Sequence, residues 1–346
     1  ELTARCNNNC RHCYINVPEK DVKSIKKELP LKDLKPIIDE AVSMGALWCL
    51  ITGGEPLLRE DFFDIYLYLK RKGLLVSVFT NATLITDEYI KFFKKYPPRD
   101  IEVTVYGVSE QTYSSVTRGS FENFMKGLNL LIENDIKVRL KAMAIRSNVD
   151  ELNHIATFCR KITKDYFRFD PFLHLRYDRN EKRNNEIISE RLSPEEIVKI
   201  EKDDPERLQF LEKSCNELLL PELLNNTSAY VFSCGAADAS FTLSYDGYFR
   251  LCSALVREDC IYDLKSGTLS EAWNNFVPSI KSIKSKSEDF LSMCRKCSII
   301  NLCRWCPAHA DLETGKMDKP VEYFCNVAGK RADAFTEAYG NIRLEI

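Results

Sequence analysis

Residues 47–58 read LWCLITGGEPLL, an apolar run that breaks into Gly53-Gly54-Glu55-Pro56. A short apolar run closed by turn residues fits a buried strand, and an amphipathic pattern over 62–71 comes directly after it. The two read as one strand–helix unit. Taken alone, GGEP fits a tight turn. It equally fits a ligand loop, because glycines let backbone approach a ligand and leave carbonyls free to accept from an ammonium group. Barrel active sites lie at the carboxyl ends of strands, where this loop falls.

The alternation continues on both sides. Strands are expected over 1–5, 47–51, 74–79, 101–106, 137–145 and 166–175. Helical patterns run from Leu31 to near Gly45 and over 62–71, 87–95, 121–133 and 150–161. Strands alternating with helices imply a parallel sheet with helical crossovers. Six units, where a closed barrel needs eight, predict an α/β fold: a partial (β/α)6 TIM-like barrel over 1–175, open on one side. Residues 176–230 are dense in charge and short of strands, a helical bridging segment whose charges read as a solvated face. Ser193-Pro194-Glu195-Glu196 within it is a helix start. Residues 231–346 form a cysteine-rich C-terminal domain, with a hairpin turning at Asp246-Gly247.

The chain has 346 residues, 45% hydrophobic and 29% charged, with a net charge of −2. That is a globular balance with no signature of nucleic-acid or anionic-membrane binding. No apolar run approaches the ~18 residues that span a bilayer. A cytoplasmic protein with no nucleic-acid or membrane partner is expected. The chain opens on Glu1 rather than Met, so an upstream segment is expected too.

Fourteen cysteines are present. Cys49, Cys159, Cys215 and Cys260 fall outside any cluster and read as buried small hydrophobes. The remaining ten are patterned. Cys6, Cys10 and Cys13 form C-x3-C-x2-C one strand–helix unit before GGEP. A structural zinc takes four ligands and disulfides an even number, so three thiols are an odd set. On a [4Fe–4S] cluster, which normally takes four cysteines, three would leave one iron without a protein ligand.

Together the cysteine loop and GGEP resemble the signature of the radical S-adenosylmethionine (SAM) superfamily. The resemblance implies that the methionine amino and carboxylate groups of the cosubstrate chelate the vacant iron. It also implies that Gly53, Gly54 and Glu55 receive the methionine ammonium, and that Tyr14 and Asn81 of the Thr80-Asn81 pair stand at the cosubstrate. Thr104 in EVTVYG falls at a ribose-contacting position, where Tyr106 replaces the family's Asp. Arg118 falls where the family faces the methionine carboxylate, a match that suits a guanidinium fork.

The other seven are Cys234, Cys252, Cys294, Cys297, Cys303, Cys306 and Cys325, spaced C-x12-G-x4-C, then C-x2-C-x5-C-x2-C, then a last Cys 19 residues on. C-x2-C pairs alone also fit zinc knuckles. With the N-terminal loop, the pattern resembles the SPASM extension of peptide-modifying radical enzymes, although the final short gap is x2 where the family usually has x3. That resemblance implies two auxiliary [4Fe–4S] clusters. Cys234, Cys252 and Cys306 would hold one, and Cys294, Cys297, Cys303 and Cys325 the other. Sulfatase maturases carry a further Cys where Ser240 stands and a base Asp where Ser253 stands; Cys260 is the nearby spare.

The two resemblances together imply an enzyme with three [4Fe–4S] clusters that cleaves S-adenosylmethionine reductively to a 5′-deoxyadenosyl radical. The radical takes hydrogen from a peptide, and a thioether, C–C or C–O cross-link forms in a ribosomally made peptide. An electron donor such as flavodoxin or ferredoxin is implied. The sequence assigns no catalytic residue beyond the cofactor sites. Rival readings are a sulfatase-maturase-like dehydrogenase of a protein Cys or Ser, and a non-enzymatic zinc or electron-carrier protein.

Overall fold

The computed structural model describes residues 1–165, 167–303 and 305–336. Five parallel strands run in sequence order: β1 (Trp48–Ile51), β2 (Leu75–Thr80), β3 (Asp100–Thr104), β4 (Val138–Met143) and β5 (Arg168–Asp170). Between them lie helices α2 (Phe62–Arg71), α3 (Asp87–Lys95), α4 (Glu110–Thr117), α5 (Phe121–Glu133) and α6 (Leu152–Ile162), with α1 (Leu31–Ser43) ahead of β1. Parallel pairing needs such crossovers. Alternation assigns the faces. Ile101 and Val103 are fully buried in the helix-side core, while Glu102 and Thr104 line an inner cavity. Phe62, Tyr66 and Phe93 fill the space between α2 and α3.

The expected first strand is not a rung of this sheet. Residues 2–5 lie beside the end of β1, with Leu2 N donating to Thr52 O (2.8 Å), Gly54 N to Thr3 O (2.7 Å) and Glu55 N to Arg5 O (2.8 Å). Only Arg5–Cys6 is extended into a pair, with Val17–Pro18. Among the described residues, five strands therefore stand in this sheet where six were expected. The last strand is also shorter than 166–175: Pro171 has no N–H for the ladder, and Phe172 N turns onto Asp170 Oδ1. Residue 166 lies outside the described residues. Helix α4, absent from the sequence reading, is capped by Ser109, whose hydroxyl accepts from Thr112 N.

The bridging region is helical as expected: α7 (Glu181–Glu190), α8 (Pro194–Asp203) and α9 (Pro205–Glu217). The Ser193–Glu196 capping box is complete. Its charges are not all solvated, which corrects the sequence reading. Glu201 is 0% exposed and accepts from Arg331 and Arg207. That network ties α8 to α11 (Glu322–Phe335). The hairpin forms with β6 (Thr242–Leu243) and β7 (Tyr248–Arg250), turning at Gly247 with φ +92°, and β8 (Ile261–Asp263) pairs on the far side of β7. Among the described residues no helix is long and apolar enough to cross a membrane.

Candidate functional site

Glu55 anchors the GGEP loop from inside. It is 0% exposed. Its Oε1 accepts from Thr80 Oγ1 (2.8 Å) and Leu57 N (3.1 Å), and its Oε2 from Asn81 N (2.7 Å). Burial pushes its carboxyl up to about 7 against these bonds. Both oxygens are engaged by the chain, so Glu55 shapes the loop and does not line the cavity beside it. The glycines are required by close approach: a Cβ on Gly53 would sit 2.4 Å from Thr3 O, and one on Gly54 2.3 Å from Arg5 O. What passes so near is the chain's own first segment, while both residues still line the cavity.

Asn81 carries the link onward. Its side-chain amide donates to Asn7 Oδ1 (2.9 Å) and reaches Cys6 Sγ (3.7 Å). Backbone N–H groups of Asn8 and Asn16 point at the sulfurs of Cys6 and Cys13, each at 3.4 Å. Asn9 N and Arg11 N bond to Thr117 O and Val116 O, seating the cysteine loop on the end of α4.

A cavity of about 370 Å³ lies under this loop. Cys6, Cys10, Cys13, Tyr14, Gly53, Gly54, Asn81 and Thr104, all expected from sequence, line it. Arg118 does not. It sits in the left-handed region (φ +52°) after α4 and pairs with Glu186 at 2.9 Å. Among the residues lining the cavity, Lys141 is the one Lys or Arg. Its ammonium pairs with Glu102 and lies 4.4 Å from the Phe79 ring centroid. A lysine in the middle of a central parallel strand, where apolar residues are the rule, was the signal that could have found it.

The three thiols fit an iron–sulfur centre by their chemistry. Burial, with the nearby Glu55 charge, pushes Cys6 up to about 12. Cys10 is raised by burial and by the other two sulfurs. Such a set does not ionise together unless a cation offsets the repulsion, and N–H groups already aimed at two sulfurs suit thiolates. His12, between two of the cysteines, is held down to about 4 by burial and bonds with Tyr106 Oη at 3.3 Å. Among the described residues no three His, Cys, Asp or Glu side chains close around a single-ion position. A cubane takes its thiolates on separate irons, which leaves its ligands farther apart.

Residues 1–159 match the model of the radical SAM superfamily. This span belongs to that superfamily. The chain is 31% identical over 196 residues to an Fe-coproporphyrin III synthase of Methanosarcina barkeri, covering 56% of this chain and 47% of that protein. It is 23% identical over 317 residues to the antilisterial bacteriocin subtilosin biosynthesis protein AlbA of Bacillus subtilis, covering 88% of this chain and 66% of that one. The first of these matches thus spans about half of the relative's length. Among solved structures, anSMEcpe with bound AdoMet superposes with a TM-score of 0.69 at 16% identity, covering 99% of this chain and 96% of that one. That likeness establishes the fold alone.

Beyond the radical SAM span, the remaining patterned cysteines fall into two groups. Cys252 and Cys306 each feel the charge of Cys234, and Cys306 that of Cys252. Cys294, Cys297 and Cys303 all interact with Cys325. In the tight Cys303–Cys325 pair, the hydrogen bond from Cys303 holds the Cys325 thiol below its ordinary range. Cys260 stands with neither group. It lies on a turn (Glu258–Cys260), with its sulfur toward Met317 and Asp259. Ser253 and Ala254, directly after Cys252, form part of the radical SAM cavity wall. His174, also on that wall, stacks on His309 with 3.8 Å between ring centroids.

Sequence reasoning missed the arginines that hold the cysteine loop. Arg176, 4% exposed, donates to Cys13 O (3.2 Å) and to Asn16 O and Oδ1. Arg183 donates to Cys10 O (2.7 Å).

Proposed function

We propose that the chain is a peptide-modifying radical SAM enzyme that forms a thioether, C–C or C–O cross-link in a ribosomally made peptide, with a C-terminal SPASM-type domain carrying two auxiliary [4Fe–4S] clusters. The observation that carries this reading is that Ser253 and Ala254 share a cavity with Cys6, Cys10 and Cys13. A substrate in that space would touch both cysteine regions. Similarity to a bacteriocin biosynthesis protein over 88% of the chain supports a peptide substrate.

Cys6, Cys10 and Cys13 would hold the N-terminal cluster, which when bound would supply the electron for reductive cleavage of S-adenosylmethionine and so the means to remove a substrate hydrogen. The protein orients and excludes water. Lys141 faces the methionine carboxylate, the role that motif position alone would assign to Arg118. The backbone at Gly53 and Gly54 accepts from the ammonium, with Glu55 fixing the loop. Thr104 meets the ribose, and Tyr14 closes the cavity beside Tyr177, with ring centroids 4.9 Å apart. Ser253 on the cavity wall offers no carboxylate, which disfavours dehydrogenation of a Cys or Ser by a sulfatase-maturase route. A cytoplasmic setting with flavodoxin or ferredoxin as donor completes the proposal.

The test is to incubate the reduced, reconstituted enzyme with S-adenosylmethionine and candidate precursor peptides of ribosomally made natural products. Equal release of 5′-deoxyadenosine and of a peptide lacking two hydrogens is expected. Deoxyadenosine made at the wild-type rate by the Cys6/Cys10/Cys13→Ala protein would overturn it.

A further inference from the structure

The short stretch from Arg176 to Glu186 touches both cysteine regions. Toward the N-terminal loop it makes main-chain contacts with four residues. Arg176 donates to the carbonyls of Cys13 and Asn16, Arg183 to that of Cys10, and Tyr177 N to Tyr14 O at 3.1 Å. Toward the C-terminal region, Arg179 donates to Asp311 Oδ2 (2.5 Å) and Asp311 O (3.1 Å). Asp311 is 2% exposed. It lies on α10 (Pro307–Thr314), the helix whose N-cap is Cys306; the Cys306 sulfur accepts from His309 N at 3.3 Å. One helix therefore carries both Arg179's partner and a proposed ligand of the first auxiliary cluster.

The backbone between the two sets of contacts is strained. Arg179 has φ +54°, a left-handed conformation that non-glycine residues rarely adopt. The turn is closed by Arg179 N donating to Arg176 O at 3.1 Å. It sends the guanidinium groups of Arg176 and Arg179 to opposite partners. Strain of this kind persists only where surrounding contacts over-determine it. Here these are the Cys13 and Asn16 carbonyls on one side and Asp311 on the other. Arg257 also reaches Asp311, at 3.1 Å, so the carboxylate is held from two sides and gives Arg179 a fixed post.

We propose that residues 176–186 are a strap that transmits the seating of α10 at the first auxiliary site to the geometry of the Cys6–Cys13 loop, with Arg176, Arg179 and Arg183 as positioning residues. This rests on the reading that both regions hold clusters, and only in that respect. An enzyme that must bring a radical source and a second metal centre to one substrate gains from fixing their relative position. A strap between the two supplies that, and its Tyr177 forms part of the wall of the cavity they share.

The decisive variant is Arg179→Gly. It removes the guanidinium yet suits the positive φ, so the turn itself is relieved rather than broken. Arg179 is also half exposed, at 49% of its side-chain surface, so the core is left intact. Backbone hydrogen exchange would be followed over residues 6–16 in reconstituted protein, with iron counted on the same sample. The low-temperature EPR spectrum of the reduced N-terminal cluster would be recorded with and without S-adenosylmethionine. Arg179→Gly is expected to raise exchange in the cysteine loop about tenfold and to broaden the cosubstrate-induced spectral change, although the hydrogen bonds of Arg179 go to Asp311 and Arg176 rather than to that loop. Arg179→Lys should restore most of both. Changes confined to 307–314, with the loop and its spectrum as in wild type, would overturn the strap. Iron near zero in wild type would instead overturn the cluster reading, and the exchange result would still decide the coupling.

Discussion

Glu55 buries a carboxylate that the fold holds near neutrality, and this has a measurable cost. In the unfolded chain its carboxyl titrates near the ordinary 4.5, whereas burial raises it to about 7 in the fold. A raised folded value means the native state binds the proton more tightly. The associated stability is therefore complete below 4.5 and is lost as pH rises through 7. The gap is worth about 3 kcal/mol at most, at 1.36 kcal/mol per pH unit. Glu55→Gln carries no titrating group at this position. Its amide can keep the bonds from Thr80 and Leu57 but sets an N–H2 against the N–H of Asn81, a loss of about 1–3 kcal/mol. The assay is anaerobic urea unfolding of wild type and Glu55→Gln, matched in iron content, from pH 5 to pH 8. Wild type is expected to be the more stable at pH 5, with that advantage shrinking by roughly 2–3 kcal/mol toward pH 8. A difference that stays constant across the range would show that Glu55 is ionised in the fold at all these pH values.

Lys141→Met is expected to weaken S-adenosylmethionine binding by about tenfold or more, as for a lost charge-assisted hydrogen bond; Arg118→Gln should change it little, and isothermal titration separates the two. Gly127→Ala would place a methyl 1.8 Å from Ala82 O, so a drop in melting temperature of several degrees is expected by calorimetry. Cys260→Ser should leave iron content unchanged, because its sulfur faces Met317 and Asp259 rather than the cysteine groups; loss of about four iron would make Cys260 a ligand.

The alternation of strands and helices was legible because apolar residues recur with the right period, and GGEP fell where a strand ends. The reason for its glycines was not. Gly53 and Gly54 answer to Thr3 and Arg5, some fifty residues away, and close approach of that range leaves no local trace. The division of the C-terminal cysteines between two clusters comes from the family's spacing and stays a proposal; in the fold Cys306 lies within charge range of Cys252 and Cys234, and Cys294 of Cys325 and Cys297. Arg118 shows the limit of motif matching. Its position in the chain fits a carboxylate ligand, but a left-handed backbone and Glu186, on a helix far along the sequence, turn it elsewhere. The charges of 176–230 likewise read as solvated, because partners such as Cys13 O for Arg176 and Arg331 for Glu201 become visible only when the chain is folded.

Iron and acid-labile sulfide per chain, measured on anaerobically reconstituted protein, test the central claim most directly. Wild type should hold about twelve of each, for three cubanes. The Cys6/Cys10/Cys13→Ala protein should lose about four and the ability to cleave S-adenosylmethionine, and keep the remainder. A colourless wild type containing two or three zinc ions and no sulfide would contradict it.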